Sequence, residues 1–434
     1  MKSRPGLIAG AASILFCAQL GLFSAAPADV SPGDPIDKTN WSELEGLVPE
    51  PVVGWVKRGD TLSMGSLSYD PRRYFMPGAL RSLDGNVGKY ELDREDNIID
   101  AGTGKPPGFV EGVPFPKIDL SDPRAGTRIM YNKYYYNYSL GGYIAFAQAR
   151  WIGRETGLER TIQLEEWSQP LDGDPALRSL PNPENILKYS IIRVLSPFDI
   201  AGTSNLTWRY KDSRYDSTFA YVPAIRRVRR MSPANRSDAF VGCDFCVDDS
   251  WGYDGKVNAF SWKLLRTQEA LVPFVAADPH PVVLQGDGTY KTPSTIKDIV
   301  YGYEKEEYAG APWFPTSFLW VKRPVYVLEA KSKDPYYNYG TQTLWLHRDT
   351  YQVAFKVIHD RADAYWKTVW LGESAIESPD GKIRLIVPQS MIGTDDRTDH
   401  STVILNFGSR NAITLNVTHD LNDYSLSGFQ KLCK

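Results

Sequence analysis

The sequence is poor in the residues and motifs that carry most enzyme chemistry. Five of its 434 residues are histidine and four are cysteine. No histidine stands in a metal-binding spacing such as H-E-x-x-H or H-x-H. G-x-S-x-G, P-loop and G-x-G-x-x-G motifs are absent, so hydrolases and nucleotide-binding enzymes of those kinds are not indicated. We predict a protein that is not an enzyme and uses no metal and no cofactor; a glycosidase-like pair among the 52 acidic residues stays open.

Long apolar runs are also missing beyond the N-terminus. Lys2 and Arg4 precede a mostly apolar stretch, 7–23, and Ala26-Pro27-Ala28 supplies an A-x-A cleavage site. Glycine and glutamine interrupt the stretch, and it is short for a membrane span of ~20 apolar residues. We predict a signal peptide over residues 1–28, cleaved near Ala28, and a mature chain in the periplasm. An uncleaved anchor is the alternative.

The charge balance gives no excess of basic residues. Removing residues 1–28 removes Lys2 and Arg4 and no acid, so the net charge changes from −3 to −5. An acidic surface repels phosphate unless one patch is strongly basic, which argues against a nucleic-acid partner. The one such patch is a predicted strand that carries Arg226, Arg227, Arg229 and Arg230.

Three cysteines remain in the mature chain, and an oxidising compartment permits disulfides. Cys243, Cys246 and Cys433 are therefore disulfide candidates, and Cys433 would pin the C-terminus if it paired with one of the others. The C-x-x-C spacing also suggests redox chemistry, but its neighbours Asp244, Asp248 and Asp249 should raise the pKa of a thiol. We favour a structural or incidental role, and we expect the aspartates to form a solvated acidic turn rather than a cation site.

From about residue 141 the pattern is that of β-strands. Short segments rich in β-branched and aromatic residues recur at spacings near ten residues, which is typical of an all-β sandwich or barrel. The predicted strands cover 143–151, 159–167, 188–195, 203–210, 215–222, 224–230, 258–267, 323–331, 341–348, 351–360, 364–371, 382–388, 401–408 and 412–418. In 351–360, alternation places Val353, Phe355 and Val357 on one face and Ala354, Lys356 and Ile358 on the other.

The chain before residue 140 is predicted to be mostly irregular. Trp41, Leu44 and Leu47 have helical spacing, and Pro49 and Pro51 are expected to break that helix before a second turn over 52–56. Residues 61–126 are rich in Pro, Gly and Asp, and we expect them to wrap over the surface of the main sheet.

Several segments in a fixed order resemble a known family. They read SPFDIAGTSNLTWRY (196–210), YVPAIRRVRR (221–230) and FVGCDFCVDD (240–249), with further likeness at 37–60, 112–132, 262–265 and 323–367. In this order they are similar to the DUF1329 family of outer-membrane lipoprotein-sorting-like proteins, within the LolA/LolB-like superfamily. The resemblance implies a mainly β fold in which a large curved antiparallel half-barrel of LolA/LolB type is covered by helices and loops. It also implies a single domain over 29–434.

The resemblance further implies a periplasmic binder or carrier of hydrophobic, lipid-like cargo. It suggests an RND-type exporter and an outer-membrane protein as partners. A subunit of such an export assembly that binds no ligand is the alternative function, and an envelope hydrolase is a remote one.

Aromatic side chains on the predicted strands are the candidates for the ligand-binding surface: Trp208, Tyr210, Tyr221, Trp262, Trp345 and Phe355. Arg227 and Arg229 share one strand face and would hold a polar headgroup at the cavity mouth; the alternative is surface charge paired with nearby acids. The apolar loop 309–320 would plug the barrel, close over it as a lid or dock a partner, through Trp313, Phe314, Phe318 and Trp320.

Overall fold

The computed structural model describes residues 33–292, 297–406 and 413–433. The predicted signal peptide lies outside these ranges. Within them, no helix combines the length and the apolar composition that a bilayer crossing needs.

Four α-helices occur in the described ranges. They are α1 (Glu50–Lys57), α2 (Pro77–Gly85), α3 (Ala125–Tyr138) and α4 (Leu426–Leu432). The predicted break between two helical segments is observed: a short 3-10 helix, Trp41–Leu44, ends before Pro49, and the second turn over 52–56 is part of α1. α1 begins at Glu50 and holds Pro51 in its first turn, where a missing N–H costs no hydrogen bond.

Most of the regular structure is β. The strands are β1 (Ser63–Met64), β2 (Tyr90–Leu92), β3 (Ile98–Asp100), β4 (Tyr143–Gly153), β5 (Gly157–Pro170), β6 (Ile186–Ser196), β7 (Ser204–Tyr210), β8 (Ser217–Val222), β9 (Arg227–Arg230), β10 (Phe260–Phe274), β11 (His280–Pro281), β12 (Val283–Leu284), β13 (Tyr290–Lys291), β14 (Leu319–Ser332), β15 (Gln342–His347), β16 (Val353–His359), β17 (Tyr365–Glu377), β18 (Arg384–Asp395), β19 (His400–Asn406) and β20 (Ile413–Leu415).

One large sheet organises the molecule. Its antiparallel ladder runs β9-β8-β7-β6-β5-β4-β19-β18-β17-β16-β15-β14-β10. β20 pairs with the start of β4, and short parallel contacts join β17 to β10 and β11. β2 and β3 form a separate hairpin. The predicted fold class, a mainly β protein built on a large antiparallel sheet, is confirmed.

Both faces of the sheet are covered, each by its own hydrophobic cluster. On one face, called the α1 face, Trp345 and Phe355 pack with Trp320 and Trp370 under α1 and the 309–320 loop. On the other, called the α3 face, Leu344, Val353 and Ile358 pack under α3 and the 240–259 segment. The expectation that Val353 and Phe355 share a face is wrong. The pairing of β15 with β16 skips Ala354, and this bulge moves the two side chains to opposite faces.

Of the three helices that the sequence analysis missed, α2, α3 and α4, the longest is α3. Its residues are buried on every side, so the segment shows no one-sided apolar stripe. Gly126 lets the helix approach β10, because a Cβ there would lie 3.2 Å from the Trp262 carbonyl carbon. Four of its five tyrosines are anchored by hydrogen bonds, such as the one from Tyr135 Oη to Asp172 Oδ2 at 2.9 Å.

A second small cluster lies at the β9 end of the sheet. There α4 and the turn before it cover β6–β8 through Tyr424 and Phe429. Trp208 donates its indole N–H to the Tyr424 carbonyl oxygen at 2.8 Å. Ser425 caps α4 by accepting the Gly428 N–H at 3.0 Å.

Gly372 in β17 offers a test of packing on the α1 face. A Cβ at this position would lie 2.2 Å from Phe318 Cζ, so the Phe318 ring would have to move. We expect Gly372→Ala to lower the free energy of unfolding by about 1–3 kcal/mol in urea denaturation. Gly286→Ala is the matched control, because no atom lies within 4 Å of its added Cβ. Equal stability of the two variants would contradict this packing.

Candidate ligand-binding cavity

The predicted ligand-binding residues lie in separate clusters. Trp208 and Tyr221 belong to the cluster under α4, with Tyr210 on the same strand as Trp208. Trp262 is buried on the α3 face, whereas Trp345 and Phe355 are buried on the α1 face. The structure does not bring them to one cavity, and the ligand-binding role of each stays a prediction.

The loop predicted to plug the sheet, cover it or dock a partner is packed into the α1 face. Trp313, Phe314, Phe318 and Trp320 are all buried there. The Phe314 ring centroid lies 5.5 Å from that of Trp370, and the Trp320 centroid lies 6.0 Å from that of Phe355. Their own side chains thus fill this face, and a lid role for the loop stays a prediction.

A cavity of about 120 Å³ lies on the α3 face, between the sheet and the segment 240–251. We call this segment the cover. The sheet side is lined by Ala145, Ala147, Leu164, Glu166, Ile192, Pro388, Gln389, Ser390, Met391, Ile404, Asn406 and Ile413. The cover contributes Phe240, Cys243, Phe245, Cys246, Val247, Ser250 and Trp251. The wall is mostly apolar, which suits an apolar ligand with one polar end.

Glu166 supplies a carboxyl group to the cavity wall. It accepts a hydrogen bond from Tyr143 Oη at 2.8 Å. Burial raises the pKa of its carboxyl, although Lys188 and Tyr143 oppose the shift. A carboxyl with a raised pKa is more easily protonated, and in that form it donates a hydrogen bond to a ligand oxygen.

The first half of the cover is held to the sheet by a few polar contacts. Trp151 donates its indole N–H to the Gly242 carbonyl oxygen at 2.9 Å. Asp244 Oδ2 lies 2.8 Å from His400 Nδ1 and accepts the Thr402 hydroxyl at 2.7 Å. Val241 has a φ of 52°, a strained left-handed conformation for a β-branched residue.

The second half of the cover is anchored by buried charge, so the predicted solvated acidic turn is wrong for Asp248 and Asp249. Asp248 accepts Arg236 Nε–H at 2.6 Å, and Asp249 accepts Lys356 Nζ–H at 2.5 Å. Burial raises the pKa of the Asp249 carboxyl, but Lys356 and Lys367 outweigh this effect and hold the pKa below its usual value. Just beyond, Asp254 accepts bonds from Lys188 and Arg209, each at 2.9 Å.

A family model matches residues 35–424, and the family is described as "Protein of unknown function (DUF1329)". The chain belongs to the DUF1329 family. The predicted family membership is thereby confirmed. No curated protein matches the chain.

Several solved structures are similar to this DUF1329 protein. One is described as an outer membrane lipoprotein-sorting protein domain from Vibrio parahaemolyticus, with 16% identity, a TM-score of 0.47 and coverage of 71% of this chain and 100% of that one. A DUF1329 family protein from Desulfovibrio piger has 18% identity, a TM-score of 0.47 and coverage of 71% and 99%. A LolA superfamily protein from Nitrosomonas europaea has 12% identity, a TM-score of 0.38 and coverage of 66% and 90%.

The three cysteines within the described ranges of the DUF1329 protein are free thiols. Cys243 and Cys246 line the cavity, whereas Cys433 lies in the cluster under α4. No disulfide joins these three in the structure. Burial raises the pKa of the Cys243 and Cys246 thiols, and Asp244 and Asp249 add to the effect. The reactive thiolate is therefore disfavoured at neutral pH, which agrees with a structural or incidental role.

One serine–histidine contact bears on the hydrolase alternative. His280 Nδ1 lies 2.9 Å from Ser374 Oγ, and its Nε2 lies 4.0 Å from Asp298 Oδ2. Ser374 is fully buried in β17 and does not line the cavity. A buried mid-strand hydroxyl is not presented to a substrate, so this contact gives no support to a hydrolase. Within the described ranges, no three His, Cys, Asp or Glu side chains are placed to hold a metal ion.

Arg227 and Arg229 lie outside the cavity wall. Paired residues run across the sheet from Ile192 through Asn205 and Ala220 to Arg229, so all four share the α3 face. Three strand spacings of ~4.8 Å place Arg229 about 14 Å from the cavity wall at Ile192. The headgroup role of the two arginines stays a prediction.

The contact between His400 and Asp244 predicts a pH effect. The Asp244 hydrogen bond raises the pKa of His400 against the opposing effect of burial, and Glu159 adds to the rise. A raised folded-state pKa adds stability that is complete below the unfolded value of about 6.5 and is lost as pH rises through the folded value. Between about pH 6 and pH 8, wild type should therefore lose the part of its unfolding free energy that His400 contributes, whereas His400→Gln has no such part to lose. We expect the unfolding free energy at pH 8 minus that at pH 6 to be more positive in His400→Gln than in wild type.

His419→Gln is the control for this experiment. Burial lowers the pKa of the His419 ring, so this histidine favours the folded state more at pH 8 than at pH 6. In His419→Gln, the unfolding free energy at pH 8 minus that at pH 6 should therefore be more negative than in wild type. Urea denaturation at both pH values measures all three proteins. Equal pH dependence of wild type and His400→Gln would show that the contact with Asp244 does not form in solution.

Proposed function

We propose that this DUF1329 protein is an exported periplasmic binding or carrier protein that holds part of an apolar, lipid-like molecule in the cavity under the cover. The observation that carries the proposal is the cavity itself. It lies between one face of the sheet and a separately anchored segment, and its wall is mostly apolar. Apolar ligand surface leaves water there at a gain of roughly 25 cal/mol per Å².

The size of the cavity limits what it holds in this conformation. An apolar cavity of roughly 150 Å³ holds one benzene ring. The volume of about 120 Å³ therefore fits a short acyl segment or a single ring, but not a complete lipid. A longer cargo requires the cover to move away from the sheet.

The contacts of the cover suggest which half moves. Residues 240–244 are held by hydrogen bonds from Trp151, Thr402 and His400 and by Lys367 Nζ, which donates to the Asp244 carbonyl oxygen at 2.9 Å, and no buried carboxylate–cation pair is among these contacts. Asp248 and Asp249 are held by buried ion pairs, whose separation would leave charges in an apolar interior. We infer that the segment opens at Phe240–Asp244 and stays attached at Asp248–Asp249.

The polar side chains of the wall indicate what the cargo carries. Glu166, Gln389 and Asn406 lie among apolar residues. An ester, hydroxyl or amide of the cargo could exchange hydrogen bonds with them, which favours an uncharged polar group near the bound apolar chain.

Native mass spectrometry of the mature protein tests the proposal. The protein is purified from the periplasm without detergent, and bound material is extracted with organic solvent. A discrete added mass that extracts as lipid is the expected result, and it identifies the cargo class. An apo mass at every growth stage would overturn the carrier function.

The competing function is a structural subunit of an RND-type export assembly that binds no ligand. The observation that favours it is the filled α1 face, where the aromatic residues of 309–320 occupy the space that a ligand would need. A pull-down that retains an exporter and an outer-membrane protein while the extracted protein carries no lipid would establish this function instead.

A further inference from the structure

We propose that the turns at one corner of the sheet form a docking surface for an anionic lipid bilayer. The surface, called the corner, consists of the β6–β7 turn (197–203), the last residue of β8 with the β8–β9 turn (222–226), and β9. This inference does not depend on the cavity holding a ligand. It concerns how the protein meets a membrane.

The strand pairing places the two turns side by side. Arg193 of β6 pairs with Ser204 of β7, which pairs with Tyr221 of β8, so both turns leave the sheet at the same end. They also touch, because a Cβ added to Gly202 would lie 3.4 Å from Pro223 Cγ. The corner is therefore one continuous surface.

Apolar side chains project from the corner into solvent. Phe198 is 97% exposed, Ile225 is 42% exposed and Val222 is 38% exposed. A single exposed apolar residue is common on protein surfaces and needs no explanation. An almost fully exposed aromatic ring on the same surface as two exposed aliphatic side chains does need one, because apolar patches often mark interaction sites. An aromatic residue at a turn tip can insert at the headgroup level of a bilayer.

Unpaired positive charge surrounds these apolar side chains. Arg226, Arg227, Arg229 and Arg230 are exposed, and no ion pair joins them to any described residue. Within β9, Arg227 and Arg229 lie on one side of the strand and Arg230 lies on the other, while Arg226 lies in the turn before it, so the charge surrounds the edge strand. The acid at the tips is Asp199, beside Phe198. The excess of arginine selects an anionic partner.

The shape of the surface favours a bilayer over a protein. A protein partner needs a pocket to receive the Phe198 ring, whereas a lipid headgroup layer admits a projecting ring anywhere along its plane. Ile192, at the cavity wall, is four residues before Ser196 on β6, which places it about 13 Å from the tip at ~3.3 Å per residue. Docking through the corner therefore brings the cavity close to the membrane.

Sedimentation with phospholipid vesicles tests the proposal on the full mature protein. Vesicles of phosphatidylcholine alone are compared with vesicles that also contain phosphatidylglycerol. Binding to the anionic vesicles that weakens as salt is added is expected. Arg227→Gln with Arg229→Gln should lower the partition coefficient about 25-fold, at about fivefold per arginine. Phe198→Ser with Ile225→Ser should lower it about tenfold or more.

Matched controls carry the same changes elsewhere. Arg73→Gln with Arg94→Gln removes two exposed arginines of the N-terminal portion, and Tyr336→Ser removes another exposed ring. Both should bind the anionic vesicles like wild type. Equal binding to both vesicle types, no binding, or equal losses in the control and corner variants would overturn the proposal.

A variant that blocks the cavity separates docking from capture of a lipid. Ala147 lies on the cavity wall, away from the corner. If Ala147→Phe binds anionic vesicles like wild type, docking through the corner is supported. If Ala147→Phe loses vesicle binding while the corner variants keep it, lipid capture by the cavity explains the binding and the docking proposal is overturned.

Discussion

Lys356→Met is expected to lower the free energy of unfolding by about 3–5 kcal/mol. Lys356 and Asp249 are both 0% exposed, and Lys356 Nζ lies 2.5 Å from Asp249 Oδ1. Removal of the ammonium leaves the carboxylate without its ion-pair partner in an apolar interior, and Lys367, whose Nζ donates to the Asp244 carbonyl oxygen, does not take that place. The hydrogen bonds from Tyr339 Oη at 2.8 Å and the Cys246 N–H at 2.8 Å do not replace it. Urea denaturation at neutral pH, followed by circular dichroism, measures the loss.

Two control variants show how the loss is to be interpreted. Arg72→Met breaks the exposed pair with Asp70, and this change should leave the free energy of unfolding close to that of wild type, because water already solvates both charges. Lys356→Met combined with Asp249→Asn should recover part of the stability, because no unpaired charge remains and the amide oxygen still accepts hydrogen bonds. A single-variant loss as small as that of Arg72→Met would refute the buried pair.

The buried pair also explains why the cover keeps its place over the sheet. Arg236, Lys356 and Arg209 reach the segment 248–254 from different parts of the chain, and their partners are charged. Charged pairs in an interior require close geometry, since a displaced partner leaves a charge unsolvated. The network therefore fixes the register of the cover against the sheet as well as adding to stability.

The strands were predictable because each is marked by its own residues. From 143 onward, every predicted strand corresponds to an observed one, since alternation and turn residues act over short distances. The strands β11, β12 and β13 have two residues each, which is too short for an alternating pattern, and they were not predicted. Lys356 gave a signal that the sequence analysis did not use. A lysine between Phe355 and Val357, in a strand with apolar residues on both faces, needs a buried partner of opposite charge. Asp249 is that partner.

The cavity was less predictable, because it depends on contacts between distant segments. Small residues at Ala145, Ala147 and Ala149 alternate along β4, which marks a strand face that leaves space above it. That signal does not show which segment covers the space. The aromatic residues chosen from the sequence, such as Trp345 and Trp208, are large and strand-bound, and these same properties suit them to fill a core.

Ala147→Phe is expected to weaken binding of an apolar fluorophore, 1-N-phenylnaphthylamine, whose phenyl ring is small enough for the cavity, by more than about tenfold. A mismatch of one methylene group in an apolar pocket already costs up to about 3 kcal/mol of binding free energy. The new ring projects from β4 into the cavity under Phe240 and Phe245 and occupies the space that the probe needs. Cavity filling commonly adds about 0.5–2 kcal/mol of stability, so the variant should unfold at the same or a higher urea concentration than wild type. Fluorescence titration and urea denaturation give both readouts.

Ala101→Phe adds the same ring at an exposed position after β3, and it should leave probe binding unchanged. Met391→Trp gives a second test from another strand of the sheet side of the cavity, β18, if Ala147→Phe overpacks the site. Loss of binding together with loss of folding would not count as support, because an unfolded variant binds nothing specifically. Full probe binding by a folded Ala147→Phe would place the ligand elsewhere, and the α1 face, with its 309–320 loop, would then be the surface to open.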